Sequence, residues 1–137
     1  MARIEQVELR MVDLLPKVKR TDAIQSFVSQ ETPIVTITDS DGAVGTGYSY
    51  TIGTGGSSVM RLLADHLAPR LLGKDADCIE AIWRELEYAT HATTIGAISA
   101  LALAAIDIAL WDLQSRDRKS TRLNSSHQHR SRMPSSA

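Results

Sequence analysis

The sequence predicts an α+β fold, a three-stranded antiparallel meander followed by three helices. Apolar and polar residues alternate through residues 3–50, around a single "DSDG" turn. Beyond residue 57 the apolar spacing lengthens to the helical period, and strands followed by helices, rather than strands alternating with them, indicate segregated layers. At 137 residues the chain suffices for one domain and is marginal for two.

The first strand is "IEQVELRMVDL", in which Ile4, Val7, Leu9 and Met11 mark one face with one irregularity. "LPKVKRTDAIQS" then loses all periodicity around Pro16 and gathers Lys17, Lys19 and Arg20, so it reads as a mobile loop. "PIVTITDSDGAVGTGYSY" is the strongest local signal. Two β-branched runs flank Asp41-Gly42, a pair suited to the positive φ values of a tight hairpin.

"TIGTGGSSV" leads from strand to helix, with Ser57 or Ser58 as the expected cap. Val59, Leu62, Leu63 and Leu67 share a face of that helix, and Pro69 and Gly73 end it. Asp77 with Glu80 three residues on resembles a capping box for a second helix, whose buried face is Ile79, Ile82, Trp83 and Leu86. A third helix, about Ala97 to Gln114, is apolar almost all round and is expected to lie sandwiched, with Ile106 and Trp111 buried and Asp107 hydrogen-bonded. Asp107 and Asp112 inside this apolar run, and its alanines, favour a buried globular helix over a membrane span.

Charge separates the last residues from the rest. Five of 15 basic residues and one of 16 acids lie after Arg116, which leaves ten and 15 in residues 1–116, a net charge of −5. An acidic body disfavours nucleic acid as a partner. Cys78 is the single cysteine, so no internal disulfide can form and a reducing, cytoplasmic setting is expected. "MARIEQVELR" lacks the apolar core of a signal peptide, and no membrane partner is expected.

Little in the chain carries chemistry by itself. "GTGYSYTIGTGGSS" has neither G-x-G-x-x-G before a helix nor a lysine before its final serine, so its glycines read as turn and close-packing residues. Asp107 and Asp112 are five apart, roughly 140° around a helix by the 3.6-residue period, and cannot share a metal. His66 and His91 have no companion ligand at useful spacing. No catalytic residue and no metal ligand is identified.

Taken together, "PIVTITDSDGAVGTGYSY", "LADHLAPRLLGKDA", "IEAIWREL" and "AISALALAAIDIALWDLQ" resemble the amino-terminal capping domain of the enolase superfamily, in its mandelate racemase and muconate lactonizing enzyme branch. The resemblance covers about residues 3–115, and "AIDIALWDL" is its most specific part. It implies a cap on a (β/α)₈ barrel, with Mg²⁺ and a Lys or His base abstracting the α-proton of a carboxylate substrate. The ligands and bases would lie on barrel strands beyond Gln114, so Mg²⁺ is expected in the parent enzyme and none on this chain. The cap's share is two loops that lid the pocket. By position these are Lys19, Arg20, Asp22 and Ile24 in one, and the segment around Tyr48 to Ile52, with Tyr48 and Tyr50, in the other.

An acid-sugar dehydratase is preferred, because a loop with Lys19, Arg20 and Asp22 suits a polyhydroxy acid. The alternatives are a 2-hydroxy-acid racemase and, from another class, a non-catalytic α+β binding or dimerisation module. The resemblance also implies a homo-oligomeric parent.

Residues 117–137 resemble the translation of a sequencing-library adapter: "DRKSTRLNSSH" follows its codons, and "SRMPSSA" continues them after an index. The expected division is therefore a capping domain over 1–116 and a disordered, non-native tail over 117–137.

Overall fold

The computed structural model describes residues 1–130, with side chains described through residue 118. Strands β1 (Ile4–Leu14), β4 (Gln30–Asp39) and β5 (Val44–Tyr48) form one antiparallel sheet in the order β1-β4-β5. This is the expected meander. Its register pairs Val7 with Ile37 and Leu9 with Val35, so the apolar alternation of both strands points to one side. The irregularity of β1 falls between Ile4 and Gln6, where the register shifts.

The β4–β5 turn differs from the expected two-residue hairpin. Gly42 alone takes positive φ (83°), the Gly42 N–H bonds the Asp39 carbonyl at 3.0 Å, and the Asp39 N–H bonds the Ala43 carbonyl at 3.0 Å. That is a three-residue connection whose glycine forms a bulge, so Asp41 keeps ordinary backbone angles. The buried Asp39 carboxylate closes it by accepting the N–H groups of Asp41 and Ala43, both at 2.9 Å.

Between β1 and β4 the expected loop contains a small second sheet, β2 (Arg20–Thr21) paired antiparallel with β3 (Ser26–Phe27). Asp22 makes it possible. Its carboxylate accepts the N–H groups of Ile24 and Gln25 at 2.7 and 2.8 Å, an Asx turn that reverses the chain.

The first helical segment starts as α1 (Gly56–Leu62), opens into a π-helical turn over Leu63–Leu67 and closes as α2 (Ala68–Leu71). Pro69 therefore does not end the helix. It lacks an N–H to continue the regular ladder, and the chain accommodates it by widening the preceding turn. Neither Ser57 nor Ser58 caps α1. Gly55 holds the capping position, and the Gly56 N–H is met by the Glu31 carboxylate of β4 at 2.8 Å. In the next helix, α3 (Ile79–Ala89), Cys78 rather than Asp77 precedes the first turn, and no side-chain cap forms. Asp75 pre-empts it, since its carboxylate accepts the Asp77 N–H at 3.0 Å.

The last helix, α4 (Ala97–Arg130), packs mainly on β5 and joins α1 and α3 around the core. It continues past residue 116 without a change of secondary structure, and residues 131–137 lie outside the described residues. Ile4, Val35, Ile37, Val59, Leu63, Leu67, Leu86, Ile106 and Leu110 are fully enclosed. Each such side chain contributes about 1.5–3 kcal/mol by leaving water.

Close approach of α4 to β5 depends on glycine. A Cβ at Gly45 would overlap the Ala109 carbonyl and the Leu113 backbone, and one at Gly47 would overlap the Ala105 carbonyl. These glycines serve packing, as expected. Residues 97–118 contain an 18-residue window apolar and long enough to cross a membrane, and half of that window is buried within the fold.

Two expectations for the helices are corrected. Trp111 is 48% exposed and Trp83 38% exposed, whereas Ile106 is buried. The α4 stripe that touches β5 runs through Ala105, Ala109 and Leu113, with Ile108 at its edge, while Trp111 stays nearly half exposed, so the helix is covered on one side rather than sandwiched. Trp83 stands at the margin of the α3 face defined by Ile79, Ile82 and Leu86.

Candidate functional site

The site residues expected from sequence lie at the end of the sheet where β1 leaves and β5 stops. Asp13 pinches that end. Its carboxylate accepts the Ser29 hydroxyl at 2.7 Å and the Gln30 N–H at 3.2 Å, which fixes both ends of the segment carrying β2 and β3. Within the described residues this arrangement leaves a groove of about 460 Å³ lined by Pro16, Lys17, Val18, Arg20, Phe27, Ser29, Gln30, Tyr50 and Ile52.

Arg20 and Tyr50 are thus brought to one groove, from two different loops. Lys19, Asp22, Ile24 and Tyr48 do not line it. Asp22 is spent on its turn: the N–H groups of Gln25 and Ile24 hold its carboxyl below the usual carboxylate range. Ile24 is 93% exposed at the tip of that turn, and Tyr48 stands on the outer face of β5 opposite Ile34.

Ile52, the end of the second expected segment, also lines it, and Lys17, Phe27, Ser29 and Gln30 complete the groove. A sequence signal for part of this existed in "RTDAIQSF", where an Asx-turn residue sits between two short runs that can pair.

Chemically, the groove offers a guanidinium, an ammonium, two aromatic rings and short polar side chains. Such a set can hold an anionic, hydroxyl-rich molecule: Arg and Lys pair with a carboxylate, and Ser29 and Gln30 exchange hydrogen bonds with hydroxyls. Its lining contains no carboxylate and no histidine.

The acids are engaged elsewhere. Asp112 of α4 accepts the Thr46 N–H of edge strand β5 at 2.8 Å and pairs with Arg116 at 3.0 Å. Partial burial pushes its carboxyl up, but the Thr46 N–H and the Arg116 guanidinium outweigh that and leave it lowered. Asp107 is raised by burial, partly offset by the Trp111 indole one turn on. Cys78 is exposed, and the charge and hydrogen bond of Asp75 push its thiol up, the reverse of an activated nucleophile.

Among the described residues no group of three His, Cys, Asp or Glu side chains could hold a metal ion. The donor set that Mg²⁺ needs does not fit these residues, because the carboxylates of Asp13, Asp22, Asp39, Asp75 and Asp112 each serve separate backbone N–H groups.

Residues 6–122 match the family model of the mandelate racemase / muconate lactonizing enzyme N-terminal domain. The chain is 38% identical over 112 residues to 3,6-anhydro-alpha-L-galactonate cycloisomerase of Streptomyces coelicolor, covering 81% of this chain and 31% of that protein. It is 40% identical over 80 residues to D-mannonate dehydratase CC0532 of Caulobacter vibrioides, covering 58% of this chain and 19% of the relative.

Among solved structures, a racemase from Streptomyces coelicolor A3(2) with bound magnesium superposes with a TM-score of 0.79 at 37% identity, over 82% of this chain and 32% of that one. L-talarate/galactarate dehydratase from Salmonella typhimurium LT2, liganded with Mg and L-lyxarohydroxamate, superposes with a TM-score of 0.79 at 28% identity, over 85% and 31%. The chain therefore spans about a third or less of the length of these relatives. The match over residues 6–122 and the shared α+β fold place the chain in the mandelate racemase / muconate lactonizing enzyme family, as its N-terminal capping domain.

Proposed function

We propose that this domain reads the substrate of a Mg²⁺-dependent enzyme that abstracts the α-proton of a sugar-acid carboxylate, with dehydration as the reaction. The observation that carries the reading is the groove in which Arg20 and Lys17 meet Tyr50, Ser29 and Gln30. Two cations and several hydroxyl-matching groups around about 460 Å³ suit a polyhydroxylated carboxylate better than an aromatic one. Relatives named as D-mannonate and L-talarate/galactarate dehydratases, and structures liganded with Mg and sugar-acid analogues, support the same substrate class.

In this reading Arg20 binds the carboxylate end, Lys17 adds charge at the mouth, and Tyr50 and Ile52 close the far wall. The base and metal ligands lie outside residues 1–118. Asp22 shapes the lid rather than touching substrate, and Lys19, Ile24 and Tyr48 are free to meet it from the rim. A cycloisomerase or racemase reading shares the same groove and differs only in the fate of the deprotonated intermediate.

The test is expression from a gene copy whose reading frame continues past Gln114, assayed on a panel of sugar acids with Mg²⁺ and with a chelator. Metal-dependent dehydration is expected. A stop codon close to residue 116, or a longer product that binds sugar acids without converting them, would sink the proposal and favour a binding module.

A further inference from the structure

Glu31 is the one acid of β4 whose side chain reaches into the segment after β5. Its carboxylate accepts the Thr51 hydroxyl at 2.8 Å and the Gly56 N–H at 2.8 Å, both through the same oxygen. Its own carbonyl accepts the Thr51 N–H at 2.8 Å, so backbone and side chain hold that residue together. The fit at the other end is equally tight. A Cβ on Gly56 would stand 2.7 Å from the Glu31 Cβ and 2.8 Å from its carboxyl carbon, so glycine is what lets the carboxylate reach the backbone.

Between the two anchors lies the turn Ile52–Gly55, and immediately before the first anchor stands Tyr50. Tyr50 and Ile52 form the wall of the groove that faces Arg20 and Lys17. The side chains of Tyr50 and Ile52 are themselves 51% and 37% exposed, so packing alone does not fix them. Hydrogen bonds at the ends of the segment do.

We propose that Glu31 is a positioning residue: by clamping Thr51 and Gly56 it holds Tyr50 and Ile52 as one wall of the Arg20 groove. The clamp is a matter of geometry and stands independently of what the groove binds. Its importance for substrate selection rests on the sugar-acid reading above. Among the described residues Glu31 makes no ion pair and its carboxylate bonds only Thr51 and Gly56, so it acts through the loop and not on a ligand. Glutamine keeps a carbonyl oxygen at the same reach and should hold the clamp; alanine removes it.

The test is amide hydrogen exchange and NMR on the full chain, comparing wild type with E31A and E31Q. In E31A the amides of Thr51 and Gly53–Gly56 should exchange at least about tenfold faster, with Val35 and Ile37 in the core unchanged. The Tyr50 ring resonances should move in E31A and return in E31Q. Loop amides as protected in E31A as in wild type would overturn the proposal. So would equal acceleration of loop and core, which would make Glu31 a stability residue only. If E31A does not fold, Thr51→Val removes one of the two bonds and carries the same comparison. A groove that bound no sugar acid would leave these results intact, so the two proposals fail separately.

Discussion

Gly47 of β5 lies so close to Ala105 of α4 that a methyl group on the glycine would occupy the space of the Ala105 carbonyl oxygen. Helix and strand are therefore in backbone contact, and Gly45 repeats the arrangement one turn along, at Ala109. Alanine at position 47 cannot be accommodated by a rotamer change, because the obstacle is backbone. Gly47→Ala is expected to cost about 3 kcal/mol, the upper end for overpacking. Denaturant unfolding measures it, and a loss under about 1 kcal/mol would mean that α4 can lift away from the sheet.

The two sides of α4 predict opposite outcomes for large side chains. Ile106 is enclosed, so Ile106→Ala should cost about 2–5 kcal/mol. Trp111 is nearly half exposed, and Trp111→Ala should cost about 1 kcal/mol in this chain despite its size. Equal losses at the two positions would show that the outer stripe is packed in solution.

Asp112 makes a pH-dependent contribution. Its folded pKa is lowered below the ordinary 3.8, so the stabilisation it brings is fully present above that value and is lost as pH falls through the lower folded value. Asp112→Asn should weaken the bonds to Thr46 and Arg116 and cost about 1 kcal/mol at neutral pH. The difference from wild type should shrink towards zero below both pKa values. Urea midpoints of both proteins from about pH 6 to about pH 3 follow this, and a gap that widened in acid would contradict the sign.

Much of the fold is legible in the sequence because its signals are local and periodic. The alternation of β1 and β4 and the "DSDG" turn give the sheet, and the 3.6-residue spacing of Val59, Leu63 and Leu67 gives the inner helix face. What was not legible depends on partners distant in sequence. Ser57 and Ser58 are plausible local caps, but the group that meets the Gly56 N–H comes from Glu31, 25 residues earlier. Apolar periodicity marks Trp83 and Trp111 as core residues, yet cannot say which side of an apolar helix a sheet will cover.

The site shows the same division. Arg20 and Tyr50 could be placed by loop position, whereas Phe27 and Gln30 join them only once β2 pairs with β3 and β1 with β4. Lid loops carry no periodic pattern, so nothing local distinguishes Arg20, which lines the groove, from Lys19, which does not.

Removing residues 117–137 should leave the denaturant midpoint unchanged. Only Leu123, Met133 and Ala137 are apolar there, too few to offset ordering costs of about 1–2 kcal/mol per residue. The family match extends to residue 122. A clear fall in stability on deletion would show that this segment contributes to the domain after all.

We propose that this domain shapes a substrate groove while metal and base reside elsewhere in the parent enzyme. Its carboxylates are dispersed among separate N–H groups, and gathering two or three of them around an octahedral ion would dismantle the turns and the edge contact they maintain. Calorimetric titration of the purified chain with Mg²⁺ tests this most directly, alongside an assay of the same sample on sugar acids. The expected result is no binding tighter than about 1 mM and no turnover. Micromolar Mg²⁺ affinity, or dehydration above background, would contradict it.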